Sequence, residues 1–128
     1  MIDFSKDAIF NLRAIDIKHV NKHVPDLLID GEEILGVFKT VRDQVVFTDK
    51  RIIAIDVQGA TGTRQEFSVL PYANIQYFGI QTPAFGEIIS DGELVLYFSN
   101  GFKTTFEFKG SSDILEIGRV ISIYALEK

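Results

Sequence analysis

The chain contains no cysteine and no tryptophan, and its 13 Lys and Arg are outnumbered by 18 Asp and Glu, leaving a net charge of −5. Lack of cysteine excludes disulfides, thiolate metal sites and a cysteine nucleophile, and is compatible with any compartment. The shortage of cations argues against a sequence-independent grip on nucleic acid, which needs clustered Lys and Arg to displace phosphate counterions. It also argues against a polybasic membrane-surface segment. No run approaches the roughly 18 consecutive apolar residues of a spanning helix. The segment Met1-Ile2-Asp3-Phe4-Ser5-Lys6-Asp7 lacks the basic and apolar regions of a secretory leader, so a cytoplasmic protein is expected.

What is present is apolar and aromatic. Of 128 residues 46% are hydrophobic, eleven of them Phe, enough for one domain with a sizeable core. Phe at that density suits strands packed against a covering helix.

Phe4, Ala8, Ile9, Leu12 and Ile15 recur at three- and four-residue spacing, with Ser5 as a cap, and predict an amphipathic helix. A second short helical pattern runs through Ile17, Val20 and Val24 and is expected to end at Pro25. Residues 1–30 are therefore expected to form an N-terminal helical extension and residues 31–128 the main β domain, the two making one structural unit. From Glu33 the period becomes two, with Ile34, Gly36 and Phe38 on one face and Leu35, Val37 and Lys39 on the other. Val45–Thr48 and Arg51–Asp56 flank Asp49-Lys50 and predict a tight hairpin. Arg64–Leu70 and Asn74–Ile80 are further strands. Leu94, Leu96 and Phe98 alternate up to Asn100-Gly101, and Phe102, Thr104, Phe106 and Phe108 alternate away from it, predicting a hairpin with a type I′ turn. A C-terminal helix is capped by Ser112 or Asp113, with Glu116 completing a capping box, and carries an apolar stripe of Ile114, Ile117, Ile121 and Tyr124 broadened by Leu115 and Val120. The order is helix, about seven antiparallel strands, helix: a mainly β sandwich or small barrel closed by helices.

Phe47-Thr48-Asp49-Lys50-Arg51-Ile52-Ile53, followed by Asp56, Gly59 and Gly62, resembles the bacterial pleckstrin-homology-like family. Leu70-Pro71-Tyr72-Ala73-Asn74-Ile75 and Asp91-Gly92-Glu93-Leu94 are similar to it in order and spacing. The resemblance implies a seven-stranded antiparallel barrel plugged by the C-terminal helix, with the N-terminal helices as an addition. It also implies ring-shaped homo-oligomers. Phosphoinositide-binding relatives of this fold place several cations in the first strand pair and its loop. Here only Lys39 and Arg42 stand there, beside Asp43, so phosphoinositide binding is not expected.

Candidate chemistry is sparse. His19 and His23 are four apart and would share a helix face as weak metal candidates, although the Glu of a zinc-peptidase motif is missing. Asp49 and Arg51 have a structural explanation: a turn Asp accepts backbone hydrogen bonds, and Arg51 pairs with a neighbouring carboxylate. Gly59-Ala60-Thr61-Gly62-Thr63-Arg64 lacks the ending of a phosphate-binding loop and reads as a strand connection. Glu87, Asp91 and Glu93 read as an acidic solvated loop. Phe85, Ile88 and Ile89 in the long loop, with Phe4, Ile9 and Leu12 near the N-terminus, are expected to be buried between identical subunits. The reading is thus a non-enzymatic interaction module without a cofactor, binding itself and an unidentified protein partner but not nucleic acid. A membrane-surface adaptor is the alternative, and a small-ligand or metal-binding protein the second alternative.

Overall fold

A computed structural model describes residues 8–82, 91–109 and 114–126. Its centre is an eight-stranded sheet in the order β5-β4-β3-β2-β1-β8-β7-β6. The strands are β1 (Ala8–Ile15), β2 (Ile34–Lys39), β3 (Gln44–Thr48), β4 (Arg51–Gln58), β5 (Arg64–Pro71), β6 (Ile75–Gln81), β7 (Asp91–Phe98) and β8 (Lys103–Lys109). Neighbouring strands are antiparallel except β1 and β8, which run parallel.

The helix expected over the first segment is instead β1, and the reason lies at Asn11. Ile9 pairs with Phe106 and Leu12 with Phe108, so three steps along β1 match two along β8. The extra residue is a bulge, and Asn11 sits there at φ 61, a left-handed conformation that Asn tolerates better than most residues. The bulge returns both Ile9 and Leu12 to the inner face. It thereby produces the spacing of three that imitates a helix. Beyond the bulge, Arg13–Ile15 pair with β2, so β1 joins the two halves of the sheet.

Two apolar clusters result. The larger gathers Leu12, Phe38, Phe47, Ile52, Leu94, Leu96, Phe106 and Phe108 inside the bent sheet, and α2 (Ile114–Leu126) closes it. The smaller lies on the opposite face of β2–β4, where Val37, Val46, Ile53 and Ile55 meet Val24. Both faces of β3 and β4 are therefore covered, which explains why Val45–Phe47 and Ile52–Ile55 are apolar without alternation.

The cover over the second cluster is a 3-10 turn (Ile17–His19) and the single-turn α1 (Val24–Leu27). Pro25 does not end a helix here; it stands in the first turn of α1, where a missing N–H costs nothing. In α2, Ile114, Ile117, Gly118, Ile121 and Ala125 are buried. Leu115, expected to broaden that stripe, is 62% exposed and faces away. The expected caps Ser112 and Asp113 lie outside the described residues.

Both expected hairpins form. Asp49-Lys50 joins β3 to β4 with Phe47 opposite Ile52. At Asn100-Gly101 the turn is not type I′. The Gly101 N–H donates to the Phe98 carbonyl, the Phe98 N–H donates to the Phe102 carbonyl, and only Gly101 has positive φ, at 87°. That is the three-residue loop in which a type I turn is followed by a left-handed glycine.

Candidate functional site

A dense polar network lies at the β3–β4 hairpin. Thr48 is buried, and its hydroxyl accepts from the Lys50 and Arg51 N–H groups at 3.0 and 3.1 Å, shaping the turn. The same hydroxyl donates to Glu32 Oε2 at 2.6 Å. Arg51 grips Glu32 through both carboxylate oxygens, from Nε at 2.9 Å and Nη2 at 2.8 Å, and Nη2 also donates to the Leu27 carbonyl. The Ile29 N–H adds a further donor to Glu32 Oε1. Burial pushes the Glu32 carboxyl up, but the hydrogen bonds from Arg51, Thr48 and Ile29 and the Arg51 charge outweigh it and hold it at about 2. Asp49 clasps the turn before β2: its Oδ1 accepts from the Glu33 N–H, while its own N–H donates to the Glu33 carbonyl. Below the turn, the Tyr72 hydroxyl donates to the Thr48 carbonyl at 2.7 Å and its ring stacks on Tyr124. Burial beside Tyr124 pushes that hydroxyl well above the ordinary phenol range. The Glu32, Arg51 and Asp49 side chains are engaged within the fold. Thr48, Asp49 and Arg51 serve the scaffold.

The opposite end of the sheet differs. Arg13 and Lys39 are cross-strand partners, and Arg42 follows in the β2–β3 loop with its guanidinium on the Gly59 carbonyl. The His19 carbonyl accepts from the side chain of Gln44, whose backbone pairs with Lys39. Val41 projects from the β2–β3 loop and is 96% exposed. Asp43 turns inward and accepts from the Val57 N–H; burial raises its pKa despite that bond, and the Asp56 charge adds to the rise. Gly59 and Gly62 take positive φ and close a tight turn between β4 and β5, a strand connection rather than an anion cradle.

The two histidines do not share a helix face. His19 belongs to the 3-10 turn, whereas His23 precedes α1 and sits edge-on to Phe67 with ring centroids 6.2 Å apart. Among the described residues no three His, Asp or Glu side chains converge as metal ligands. Asp91 starts β7 and Glu93 lies within it, opposite Glu107; Glu87 is outside the described residues. Of the expected subunit-interface residues, Phe4, Phe85, Ile88 and Ile89 also lie outside them. Leu12 has 0% exposure in one chain, and Ile9 is half-buried against the larger core, because the bulge turns both inward.

Sequence reasoning missed β6 as a sheet edge, whereas Pro71 marks a break or an edge position at β5. The described strands of β5 and β6 each have a single neighbour, β4 and β7 respectively. β6 holds no charged residue and no proline, while its outer face carries Tyr77, 57% exposed and stacked on Tyr97 at 4.1 Å. The signal available was the uncharged stretch Ile75–Gln81; which strand ends a sheet is decided by topology. Among the described residues no helix is long and apolar enough to cross a membrane.

Comparison with known proteins agrees with this architecture. The chain is 34% identical over 114 residues to the uncharacterized protein YjqA of Bacillus subtilis strain 168, covering 88% of this chain and 90% of that protein. It is 32% identical over 102 residues to YozO of the same strain, covering 79% and 85%. Among solved structures, a pleckstrin-homology domain protein from Shewanella loihica PV-4 matches with a TM-score of 0.77 at 27% identity, covering 91% of this chain and 99% of that one. A pleckstrin homology domain from Shewanella amazonensis SB2B matches with a TM-score of 0.63 at 34% identity, covering 87% and 89%. The family model described as bacterial PH domain matches residues 3–125, spanning β1 as well as the strands that follow. The fold is pleckstrin-homology-like, and the chain belongs to the bacterial PH domain family.

Proposed function

We propose that this protein is a non-enzymatic interaction module that assembles with copies of itself in a ring and presents its loops to a protein partner. One observation carries the reading: the sheet is open, and its described terminal strands pair on one side only. An unpaired strand offers a row of N–H and C=O groups, and proteins ordinarily guard such edges with charge or proline. β5 carries Arg64, Glu66 and Pro71, whereas β6 carries no such guard. An edge that differs from its counterpart favours head-to-tail contact, the arrangement that closes into rings. Size-exclusion chromatography with light scattering tests it, and a strict monomer at micromolar concentration overturns it. Gly79 on β6 has nothing within 4 Å of a built Cβ, so Gly79→Lys adds a charge beside the edge without a clash. It is expected to dissociate the assembly and leave the fold intact.

A second reading, attachment to a membrane surface, is favoured by Val41. A 96% exposed apolar tip between Lys39 and Arg42, with Arg13 paired to Lys39, suits shallow contact with anionic lipid. Co-sedimentation with phosphatidylserine vesicles, lost in Val41→Asp, tests it; wild-type protein staying in solution rejects it.

A further inference from the structure

On the outer face of β4 and β5, the segment covering the second core stops short of the start of β5. It leaves a cleft of about 380 Å³ lined by His23, Asp26, Leu27, Thr63, Gln65 and Phe67. That volume is near the lower end for small-molecule sites and suits one side chain or a small ligand.

The walls are held in place from below. Val24 is fully buried and anchors α1 on the sheet. Asn21 donates from Nδ2 to Gln65 Oε1 at 2.7 Å, and its N–H donates to Gln44 Oε1 at 2.8 Å. Phe67 packs on the second core and meets His23 perpendicularly, so one wall is aromatic.

The charge of the cleft is one-sided. Among the described residues Asp26 is the lone carboxylate lining it, and no Lys or Arg does; Lys22 and Arg64 are chain neighbours of the lining but not part of it. Among the described residues, the Asp26 carboxylate accepts no hydrogen bond, since only the Asp26 N–H is engaged, with the His23 carbonyl. A carboxylate beside an aromatic ring and a leucine complements a cation on an apolar stem. The stem covers Phe67 and Leu27, the cation meets Asp26, and a ring face adds further attraction. An anion would be repelled, and a wholly apolar ligand would desolvate Asp26 without return.

We infer that this cleft binds an alkyl-ammonium or alkyl-guanidinium group, supplied by a lysine or arginine side chain of a peptide or by a free aliphatic amine. The site uses the outer face of β5 and not its open backbone edge, and its test reads cation binding and not assembly.

The test titrates the isotope-labelled full chain near neutral pH with butylguanidinium, butylamine, butyrate and butanol, following amide chemical shifts. The two cations are expected to move the amides of residues 23–27 and 63–67 at low-millimolar concentration, and butyrate and butanol are not. Asp26→Asn, which disturbs no hydrogen bond of its own carboxylate among the described residues, is expected to weaken cation binding about fivefold. Phe67→Leu, which keeps an apolar wall, is expected to weaken it about threefold. A blocked Ala-Arg-Ala peptide that binds well below the butylguanidinium concentration identifies a peptide as the source; equal affinity identifies a free amine. Butyrate binding as tightly as butylamine, an unchanged response in Asp26→Asn, or no shifts with either cation overturns the inference.

Discussion

Glu32→Gln removes one charge from the hairpin network and keeps its shape, so its effect tests whether that buried pair holds the hairpin to the preceding segment. The Glu32 side chain has no exposure and Arg51 retains 16%. A carboxyl held at about 2 instead of 4.5 corresponds to roughly 3 kcal/mol of folded-state preference for the charged form. Removing one partner of a buried pair costs about 3–5 kcal/mol in general, because the other charge is left uncompensated. The two figures agree on a loss near 3 kcal/mol, or roughly 10 °C in Tm for a domain of this size. The pH dependence carries a definite sign. Because the folded pKa is depressed, the stabilisation is fully present above the unfolded value of 4.5 and is lost as pH falls towards about 2. About 2 kcal/mol of it should be gone by pH 3. Urea unfolding of wild type and Glu32→Gln at pH 7 and pH 3 is the assay, and the gap between the two should narrow at the lower pH. A variant within about 0.5 kcal/mol of wild type at pH 7, or a gap equal at both pH values, would refute the reasoning.

Three smaller tests probe other parts of the fold. A Cβ on Gly118 would run into Ile80 Cδ1, so Gly118→Ala should cost about 1–2 kcal/mol by overpacking α2 against β6, and adding Ile80→Val should recover most of it in thermal melts. Asn11→Gly should be tolerated at φ 61, whereas Asn11→Val should cost about 1–2 kcal/mol in urea unfolding, as a β-branched residue is strained there. Asp43→Ala should destabilise by about 1–2 kcal/mol by leaving the Val57 N–H without its acceptor. Asp43→Asn should equal or exceed wild type at pH 7, since burial and the Asp56 charge disfavour the ionised carboxyl; the difference should vanish at acidic pH, where Asp43 is protonated.

Much of the architecture was legible because its signals are local. Alternation around Asn100-Gly101 placed β7 and β8, although the loop there needs one left-handed residue rather than two. The apolar runs around Asp49-Lys50 placed β3 and β4, and the 3.6-residue stripe placed α2. Leu115 was misjudged because the apolar stripe does not say how wide its contact is. The candidate sites were far less legible. His19 and His23 were grouped by spacing along a helix that does not form. Glu32 drew no attention, since a glutamate beside a turn is ordinarily solvated, and only folding brings Arg51, Thr48 and the Ile29 N–H around it. The cleft at Asp26 and Phe67 joins residues about forty positions apart that share no motif.

Local patterns along the chain suffice for a cysteine-free, mainly β domain with a C-terminal helix, two tight hairpins and a family. Each follows from periodicity, turn chemistry or motif, properties carried by neighbouring residues. Tertiary structure alone decided that the first segment is a strand. Its apolar spacing suits helix and bulged strand equally, and the choice is made by the unpaired edges of β2 and β8 that β1 satisfies. Tertiary structure also decided that β3 and β4 are covered on both faces, that Leu12 belongs to the core, and that β5 and β6 stand at the ends of the sheet. Those outcomes depend on which backbone groups find partners across the chain, and no local pattern records that.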